Sequence, residues 1–363
     1  MRIAIDLTSL ADSFSGIRRF AANVAENMIL QNTDDEYILI FKREIFELFH
    51  PYEGRANVQM IVLKDCGKFW CSQVTLPLCL YGLKADRWLF MAFSSPLFFF
   101  RKGTVSTIHD IGCWDHPEAM TRFSVMFFRA LYRKAAFCDD RLVTVSEFSK
   151  GRILQRLSVG EDRIQVVYNG LTQQSYEYLT EEKDVGALRT KYGLPEKYIL
   201  CLSTLEPRKN MRLLIDACRE LWLEGLLKTD LVLAGRKGWK IDDLLESLEP
   251  EVEQRIHLTG FVEERDLSTL YHNADVFVFP SIYEGFGIPP LEALAVGVNV
   301  ISSDAASMPE VLGDAAFYFK SNDLKDLKET ILKFYHDQLG VRGQLPRAYD
   351  WKHSAKAMRK AIE

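Results

Sequence analysis

The hydrophobic residues of this chain follow two patterns that predict a repeated succession of helices and strands. Longer segments such as NMRLLIDACRELWLEGL and ERDLSTLYHNA carry apolar residues at helical spacing. Between such segments lie short runs rich in β-branched and aromatic residues, which are typical of buried strands. The first half contains RIAIDL, YILIFK, VQMIVL, RWLFMAF, TVSTIH, RLVTVS and RIQVVY, and the second half contains YILCLS, DLVLAG, RIHLTG, DVFVFP, NVISSD and AAFYF.

This alternation predicts an α/β protein whose parallel sheets are covered by helices on both faces. Because it occurs twice, we expect two Rossmann-like, doubly wound parallel-sheet domains, residues 1–172 and 173–342. The polar and charged segment 171–197 separates the two series and is the natural linker. Ligands of such sheets bind beyond the carboxyl ends of the strands, so two domains facing each other would form one interdomain cleft.

Composition and charge exclude several other classes of protein. Of the 363 residues, 48% are hydrophobic and 26% are charged, which is an ordinary globular balance. A net charge of −5 argues against a generic nucleic-acid binder, and no apolar run approaches the length of a membrane span. The chain starts with a strand-like segment that does not resemble a signal peptide, and its seven scattered cysteines form no CxxC pair. We therefore expect a cytoplasmic protein with reduced cysteines and no metal site.

Two glutamates, Glu284 and Glu292, flank a segment rich in glycine and proline, EGFGIPPLE. One continuous helix is excluded because glycine and proline are the poorest residues in a helix interior. Since proline is tolerated in the first turn, we expect a helix from near Pro289 to a stop at Gly297. Glu284 would then lie in the loop before the helix and Glu292 in its first turn, where a glutamate also favours the helix dipole.

A second candidate loop, TLEPRKN, places Arg208 and Lys209 just before a predicted helix that begins near Asn210. Two cations beside the N–H groups of a helix N-terminus make an anion site. The alternative is that both are solvated loop cations and that Asn210 is the N-cap. The pattern alone leaves both interpretations open.

Two features of the first half are also candidates. His109 and Asp110 end a predicted strand, where the histidine could bind a ligand hydroxyl or a backbone carbonyl and the aspartate could cap the turn. No GxGxxG follows the first strand, where Gly16 stands alone in SFSGIRRF, so an ordinary dinucleotide fingerprint is missing.

These motifs together resemble those of the family 4 retaining glycosyltransferases, which have the GT-B fold. EGFGIPPLEA resembles their E-x7-E signature, SFSGIRRF their first glycine loop, TIHDIGCWDHPE their catalytic-histidine loop and TLEPRKN their phosphate-binding loop. VTVSEFSK, LAGRKGW, HLTGFV and SSDAASMPEVLGDAA also match in order, so the resemblance covers nearly the whole chain. LEPRKN with HDI…HPE is most similar to the mannosyltransferase-like branch that builds bacterial surface polysaccharides.

The resemblance implies a donor site for a nucleotide sugar. Glu284 would bind sugar hydroxyls, His109 would contact the transferred sugar near its anomeric centre, and Glu292 would accept a hydrogen bond from the ribose. The two residues that would act in catalysis are therefore His109 and Glu284. The loop between the glutamates would turn its backbone towards sugar and phosphate, through Gly285, Phe286, Gly287 and Ile288.

The remaining implied donor contacts lie in three other loops. Arg208 and Lys209 would neutralise the diphosphate leaving group, and Gly16 would let the first loop approach the diphosphate and acceptor. Near the base, we expect Phe261 and Val262. Many relatives have a second glycine in the first loop where this chain has Arg18, which either adds a phosphate or acceptor contact or begins the helix as a solvated residue.

The resemblance implies no cofactor and no required metal, and nothing in the sequence resembles a DxD metal motif. A retaining double displacement needs a carboxylate nucleophile, but Glu284, the nearby loop carboxylate, is expected to bind hydroxyls. We therefore expect front-face transfer, with the departing diphosphate stabilising an oxocarbenium-like state. The donor would be an NDP-sugar, GDP-mannose or a similar 6-deoxyhexose donor, and the acceptor a growing, lipid-linked glycan of lipopolysaccharide or capsule.

Two segments bear on the location of the protein. RFSVMFFRALYRKAAF, residues 122–137, and PLFFFRKG, residues 96–103, combine aromatic and basic residues. They suit peripheral contact with anionic membrane at the inner face of the plasma membrane, or they simply bury aromatics and leave the cations solvated. Residues 343–363 look like the family's terminal helix that crosses back to the first domain, with Trp351 as anchor.

Two alternatives to the transferase remain open at the level of sequence. The chain could be a nucleotide-sugar epimerase of the same fold, although its EPRKN and EGFG loops fit the transferase pattern better. It could also be a catalytically idle GT-B module that binds glycans or scaffolds an assembly, against which the intact set of candidate residues argues.

Overall fold

A computed structural model describes residues 1–11, 16–172, 175, 177–178, 181–203, 206–235, 248–340, 342–343 and 345–363. Parts of three motifs named above, 13–15 of the first loop, 204–205 of TLEPRKN and 236–239 of LAGRKGW, lie outside the described residues. The chain divides into two compact units. The first unit comprises Met1–Gly170 and Tyr349–Glu363, and the second unit comprises Leu171–Ala348.

The sheet of the first unit has seven parallel strands. They are β1 Arg2–Asp6, β2 Glu36–Lys42, β3 Val58–Leu63, β4 Arg87–Phe90, β5 Thr104–Thr107, β6 Arg141–Thr144 and β7 Ile164–Val166. Their order across the sheet is β3-β2-β1-β4-β5-β6-β7.

The sheet of the second unit has six parallel strands. They are β8 Tyr198–Leu202, β9 Asp230–Ala234, β10 Ile256–Gly260, β11 Val276–Phe279, β12 Asn299–Ser303 and β13 Phe317–Phe319. Their order is β10-β9-β8-β11-β12-β13. Twelve of the thirteen strands lie within a hydrophobic run predicted as a strand, and β2 begins one residue before its run YILIFK. The prediction of Rossmann-like sheets is confirmed for each unit.

Helices connect the strands within the described ranges. They are α1 Gly16–Gln31, α2 Lys68–Trp70, α3 Leu76–Tyr81, α4 Gly112–Asp115, α5 Arg122–Cys138, α6 Glu147–Arg156, α7 Glu182–Tyr192, α8 Met211–Leu223, α9 Pro250–Glu253, α10 Glu264–His272, α11 Ile288–Ala295, α12 Met308–Leu312, α13 Leu324–Tyr335 and α14 Trp351–Ile362.

The core of the second unit shows why the apolar pattern produces this architecture. Leu214 and Leu221 of α8 share one buried cluster with Leu231 of β9, Val276 of β11 and Leu327 of α13. The helical spacing of the two leucines turns both of them towards the sheet. Each fully buried leucine or valine contributes about 1.5–3 kcal/mol relative to its exposed state, so this cluster holds helices and sheet together.

Strand order reverses at one point in each sheet, and this point determines where a ligand can bind. In the first unit the chain moves outward from β1 to β3 and then returns to β4, so the switch point lies between β1 and β4. In the second unit the corresponding switch point lies between β8 and β11. Ligands of doubly wound sheets bind at the carboxyl ends of the strands beside such a switch point.

The last helix, α14, packs against α1 within the first unit. Trp351 is buried, and its ring lies 6.4 Å from the ring of Phe20 at a steep angle. A Cβ atom on Gly170 would lie 2.4 Å from the Trp351 nitrogen, so glycine is needed there for close approach. The Ser354 hydroxyl donates a hydrogen bond to the carbonyl of Tyr168 at 2.6 Å. This bond connects the helix to the segment that follows β7.

Candidate active site

The switch point of the second unit brings together two loops that are far apart in sequence. The turn Pro207–Lys209 follows β8, and the EGFG loop follows β11. Lys209 Nζ donates a hydrogen bond to Glu284 Oε1, and Arg208 Nη1 lies 3.5 Å from Glu284 Oε2. A buried carboxylate flanked by two cations therefore lies at the position where this fold binds ligands.

Further hydrogen bonds fix this arrangement. Ser281 Oγ donates to Glu284 Oε1 at 2.7 Å, and the backbone N–H of Ile282 donates to the Arg208 carbonyl at 3.0 Å. Arg208 Nη1 also donates to the Tyr283 carbonyl at 3.2 Å. The two loops thus hold each other through backbone as well as side-chain contacts, so the charged groups are preorganised.

The electrostatics of the pair follow from burial and charge. Burial raises the pKa of the Glu284 carboxyl, but Lys209 and Arg208 outweigh it and hold that pKa below its usual value. Burial lowers the pKa of Lys209, and the carboxylate of Glu284 opposes that effect. Glu284 is therefore ionised at neutral pH, so it accepts hydrogen bonds and is not a proton donor.

The alternative of solvated loop cations is wrong for Lys209, because only 12% of its side chain is exposed. Asn210 occupies the N-cap position of α8 with a φ of 55°, but its side chain does not cap the helix. It donates instead to Asn322 Oδ1 at 2.9 Å. Asn210 is thus the N-cap residue, as that alternative held, although its side chain makes no capping hydrogen bond.

The second glutamate of the motif is buried on the helix that follows. As predicted, Glu284 lies in the loop and a separate helix follows, but α11 begins at Ile288, one residue before Pro289. Glu292 therefore lies in the second turn, and the predicted first-turn position is wrong. The Tyr271 hydroxyl donates to Glu292 Oε2 at 3.0 Å, so a tertiary contact orients this carboxylate.

The loop between the glutamates is closely packed against α12. Ser307 Oγ is within hydrogen-bonding distance of two loop carbonyls, those of Glu284 at 3.0 Å and Phe286 at 3.1 Å. Gly287 has a φ of 91°, and a Cβ atom there would lie 2.4 Å from Met308 Cε. The backbone conformation thus favours glycine at position 287, and any side chain there would have to displace the end of the Met308 side chain.

Replacing Gly287 by alanine is expected to cost more stability than replacing Gly297. Both glycines have a φ near 90°, but nothing lies within 4 Å of a Cβ at Gly297. Gly297→Ala should lower the free energy of unfolding by about 1–2 kcal/mol, the cost of a left-handed backbone for alanine. Gly287→Ala should add the contact with Met308 to that cost. Urea unfolding of both variants measures the difference, and equal values would contradict this account.

The loop after β10 carries Phe261 and Val262. Gly260 ends the strand with a φ of 67°, after which Phe261 is 49% exposed and Val262 is buried. Strand β10 is two positions from β8 in the sheet, so this loop lies about 10 Å along the edge from the Lys209 loop. About half of the Phe261 side chain is thus exposed at the same edge of the sheet.

His109 lies in the first unit. Strand β5 ends at Thr107, so the expectation that His109 itself ends the strand is corrected; it lies two residues beyond, at the carboxyl edge. Its Nε2 atom is 2.9 Å from the Met91 carbonyl, and its ring packs edge-on against Phe20. Asp110 Oδ1 accepts a hydrogen bond from the Gly112 N–H, which is the turn-capping alternative.

The contacts of His109 determine its protonation. Burial lowers its pKa to about 4, although Met91 and Asp110 act in the opposite direction. The imidazole is therefore neutral at pH 7. Since a carbonyl can only accept, Nε2 carries the proton and Nδ1 remains an acceptor for a hydroxyl.

Gly16 and Arg18 belong to the first turn of α1, which follows the first loop. Gly16 is exposed, and the Arg18 guanidinium lies 4.4 Å from the centroid of the Phe46 ring. Arg18 is therefore not merely a solvated residue at the start of the helix, because it makes a cation–π contact.

Five residues that hold these groups escaped the sequence analysis: Met91, Tyr271, Ser281, Ser307 and Met308. Serine, tyrosine and methionine form no recognisable motif at these positions. The Met91 contact is made by a backbone carbonyl, which every residue has. Ser307 and Met308 lie inside the motif SSDAASMPEVLGDAA, and Ser281 lies three residues before EGFGIPPLEA. Their roles became visible only through their hydrogen bonds and contacts.

Within the described residues, the structure contains neither a cluster of metal ligands nor a membrane-spanning helix. No group of three or more histidine, cysteine, aspartate or glutamate side chains is arranged there to hold a metal ion. Within the same ranges, no helix is both long enough and apolar enough to cross a bilayer.

The second half of the chain matches a known protein family. Residues 186–358 match the family model of glycosyl transferases group 1. The chain is 34% identical to O-antigen chain mannosyltransferase B of Escherichia coli over 235 residues, 64% of this chain and 61% of that protein. It is 31% identical over 206 residues, 56% of this chain, to the serotype-specific mannosyltransferase WbdA of Escherichia coli, of which it covers 25%. The chain thus spans less than two thirds of these relatives.

Solved structures of low identity share the fold over nearly the full length. Anabaena HepE in complex with UDP-glucose has a TM-score of 0.67 at 17% identity, covering 99% of this chain and 94% of that one. WaaG, a glycosyltransferase involved in lipopolysaccharide biosynthesis, has a TM-score of 0.66 at 15% identity, covering 99% and 95%. These similarities confirm the GT-B fold class. Residues 186–358 match the group 1 glycosyl transferases, and with the mannosyltransferase relatives they confirm the resemblance to the mannosyltransferase-like branch of family 4 that the motifs predicted.

Proposed function

We propose that this protein is a retaining hexosyltransferase. It moves mannose or a similar hexose from an NDP-sugar, with GDP-mannose as the first candidate, to a growing, lipid-linked surface glycan of lipopolysaccharide or capsule. It acts in the cytoplasm, with peripheral contact at the inner face of the plasma membrane. The observation that carries the proposal is the buried Lys209–Glu284 pair, with Arg208 beside it, at the switch point of the second sheet. The names of the relatives support the choice of mannose.

In the proposed reaction the cations serve the leaving group. Bond cleavage at the anomeric carbon leaves negative charge on the diphosphate, which Lys209 and Arg208 are placed to stabilise. Preorganised charges of this kind supply the electrostatic stabilisation that a metal supplies in other enzymes, so we propose a metal-independent reaction. Lys209 is suited to this role because its ammonium group has donors beyond the one that Glu284 accepts.

We propose front-face transfer in preference to double displacement. A nucleophilic carboxylate must present a free oxygen to the anomeric carbon. Glu284 instead contacts Lys209 and Ser281 through Oε1 and Arg208 through Oε2. Its ionised form is suited to accept hydrogen bonds from sugar hydroxyls, while the departing diphosphate takes the proton of the acceptor hydroxyl.

The other donor contacts follow the loops of the same edge. Glu292, oriented by Tyr271, would accept from the ribose, and the backbone from Gly285 to Ile288 would face sugar and phosphate. Phe261 would lie against the base and Val262 beneath it. In the first unit, Nδ1 of neutral His109 would accept from a hydroxyl of the transferred sugar, and Gly16 and Arg18 would border the acceptor.

A ligand screen tests the proposal. One nucleotide among GDP-, UDP-, ADP- and dTDP-sugars should raise the melting temperature, because a ligand at a hundredfold excess over its Kd stabilises the fold by about 2.7 kcal/mol. The shift should be unaffected by EDTA and should be accompanied by slow sugar release. A folded protein that responds to none of the donors would instead be an idle glycan-binding module. Conversion of the donor to an epimer would make it an epimerase.

A further inference from the structure

Arg208 contacts a second carboxylate in addition to that of Glu284. Glu206 Oε2 accepts a hydrogen bond from Arg208 Nε at 3.3 Å. At the other end of the guanidinium group, Nη1 donates to the Tyr283 carbonyl at 3.2 Å and lies 3.5 Å from Glu284 Oε2. The guanidinium group of Arg208 therefore lies between two carboxylates.

The local sequence explains why Glu206 lies there. A residue that precedes proline is restricted to extended backbone, and Glu206 before Pro207 has a φ of −112° and a ψ of 153°. The carbonyl of Glu206 accepts a hydrogen bond from the Lys209 N–H at 2.9 Å, which closes the turn Pro207–Lys209. The loop that carries both cations thus also carries a carboxylate two residues before the arginine.

The two carboxylates differ in how easily they can leave Arg208. The side chain of Glu284 is 9% exposed, and it also accepts hydrogen bonds from Lys209 and Ser281. The side chain of Glu206 is 36% exposed. Parting a buried carboxylate from its cations leaves an uncompensated charge, whereas parting a partly exposed pair costs little. Glu206 is therefore the carboxylate that can give up its contact.

The shape of the guanidinium group determines which contact a phosphate would replace. A phosphate that binds arginine in the bidentate mode takes two neighbouring N–H donors, either Nε with Nη2 or Nη1 with Nη2. The Tyr283 carbonyl and the buried Glu284 hold Nη1. The edge that includes Nε is held by the partly exposed Glu206. Glu206 and a phosphate therefore compete for the same edge of Arg208.

We propose that Glu206 is a counterion of Arg208 that the diphosphate of the donor displaces, and that its charge favours release of the nucleoside diphosphate product. The inference rests on the proposed function and deepens it, because it assigns a role at the diphosphate to a residue that the motifs did not single out. It also balances the charge of the loop, since Arg208 and Lys209 pair with Glu206 and Glu284.

The preference for product release follows from the charges of the two ligands. A terminal phosphate loses its second proton with a pKa of about 6, so at neutral pH a free nucleoside diphosphate carries about three negative charges and a nucleotide sugar about two. Repulsion by the carboxylate of Glu206 is proportional to the charge of the ligand. Glu206 should therefore weaken the binding of the product more than it weakens the binding of the donor.

Titration calorimetry of the full chain with inorganic pyrophosphate, without added metal, tests the competition. Glu206→Gln and Glu206→Ala should both bind pyrophosphate about fivefold more tightly than the wild type, which is near the upper limit for a partly exposed ion pair. Glutamine keeps the shape of the side chain and an oxygen for Arg208 Nε, so the charge alone is removed. The difference between variant and wild type should shrink at high salt, because exposed charges are screened.

Steady-state kinetics test the preference between product and donor. In Glu206→Gln the inhibition constant of the nucleoside diphosphate product should fall by about fivefold and the KM of the nucleotide sugar by only about threefold, since the donor carries fewer charges. A loss of structure in the loop would raise both constants. Equal falls in the two constants would contradict the proposed preference for product release.

Asp216→Asn is the matched control. Asp216 Oδ2 also lies 3.3 Å from an arginine Nε, that of Arg212, and its side chain is 34% exposed, but the pair lies on the surface of α8. This variant should bind pyrophosphate as the wild type does. Weaker binding by Glu206→Ala would show that Glu206 orients Arg208 for the phosphate, and it would overturn the inference. Unchanged binding in both Glu206 variants, or no binding by the wild type, would also overturn it.

Failure of this inference is distinguishable from failure of the proposed function, because pyrophosphate contains neither base nor sugar. Tighter pyrophosphate binding by the Glu206 variants of a protein that transfers no sugar would contradict the proposed function and support the competition at Arg208. Sugar transfer together with unchanged pyrophosphate binding would support the proposed function and contradict the role of Glu206.

Discussion

Replacing Lys209 by methionine is expected to reduce sugar transfer by about 10²–10³-fold, the usual cost of removing one preorganised group that stabilises developing negative charge. Methionine keeps most of the length of the side chain but removes its charge. The loss should fall mainly on turnover, because the charge on the diphosphate leaving group increases towards the transition state. Steady-state kinetics with the donor identified by the ligand screen measure it.

The same substitution should destabilise the fold. It leaves the carboxylate of Glu284 buried with only Ser281 and the more distant Arg208 as partners. Removing one member of a buried pair costs about 3–5 kcal/mol. In the wild type the lowered pKa of Glu284 contributes stability that is complete above its unfolded value and is lost as pH falls through the folded value. The difference in unfolding free energy should therefore be largest at neutral pH and shrink in acid.

Lys328→Met is the matched control for Lys209→Met. Lys328 also contacts two carboxylates, Glu220 at 2.8 Å and Glu224 at 2.9 Å, but both are well exposed on the helical face of the second unit. This variant should retain transfer and most of its stability, because exposed ion pairs contribute little. Equal losses in the two variants would contradict a special role for Lys209. Full transfer by Lys209→Met would show that Lys209 does not stabilise the leaving group.

Replacing Glu284 by glutamine should lower transfer by about 10²-fold while retaining measurable activity, if the carboxylate binds hydroxyls as a charged acceptor. The amide keeps an oxygen for Ser281 but removes the charge that pairs with Lys209 and Arg208. Transfer reduced to the uncatalysed background would instead indicate a nucleophile, because an amide cannot form the glycosyl ester of double displacement.

Mass spectrometry provides an independent test of the same point. Wild-type protein incubated with donor and no acceptor should show no added hexose on Glu284, and a covalent hexose at that residue would overturn the front-face mechanism. Glu249→Gln is the control, because Glu249 pairs with Arg219 in two contacts at the surface. That variant should transfer at the wild-type rate.

A Lys209→Met, Glu284→Gln double variant should be more stable than the sum of the single losses of unfolding free energy predicts, since neither charge is then unpaired.

Much of the fold followed from local patterns in the chain. Each strand lies within a run of β-branched and aromatic residues, because such runs are buried in parallel sheets wherever they occur. The local sequence also predicted that Glu284 lies outside the helix of Glu292, because glycine and proline are poor residues for a helix interior. The motifs identified the family because their order and spacing extend over nearly the whole chain.

The contacts of the site required the tertiary structure. Lys209 and Glu284 are separated by three strands along the chain, β9, β10 and β11, and they meet because β11 returns to lie beside β8. Local spacing suggested that Glu292 interacts with a helix dipole, whereas its partner is Tyr271 on another helix. The neutral state of His109 depends on burial, and the position of its proton depends on the Met91 carbonyl; neither can be read from neighbouring residues.

Helix α5 shows the same division. The sequence by itself predicted a basic and aromatic helix over residues 122–137, because helical spacing is a local property. Which aromatics are buried was decided by the sheet, which covers one face of α5 and leaves Phe123, Met126 and Phe137 outside. Periodicity tells which residues share a face, and only packing against the rest of the molecule determines which face meets the core.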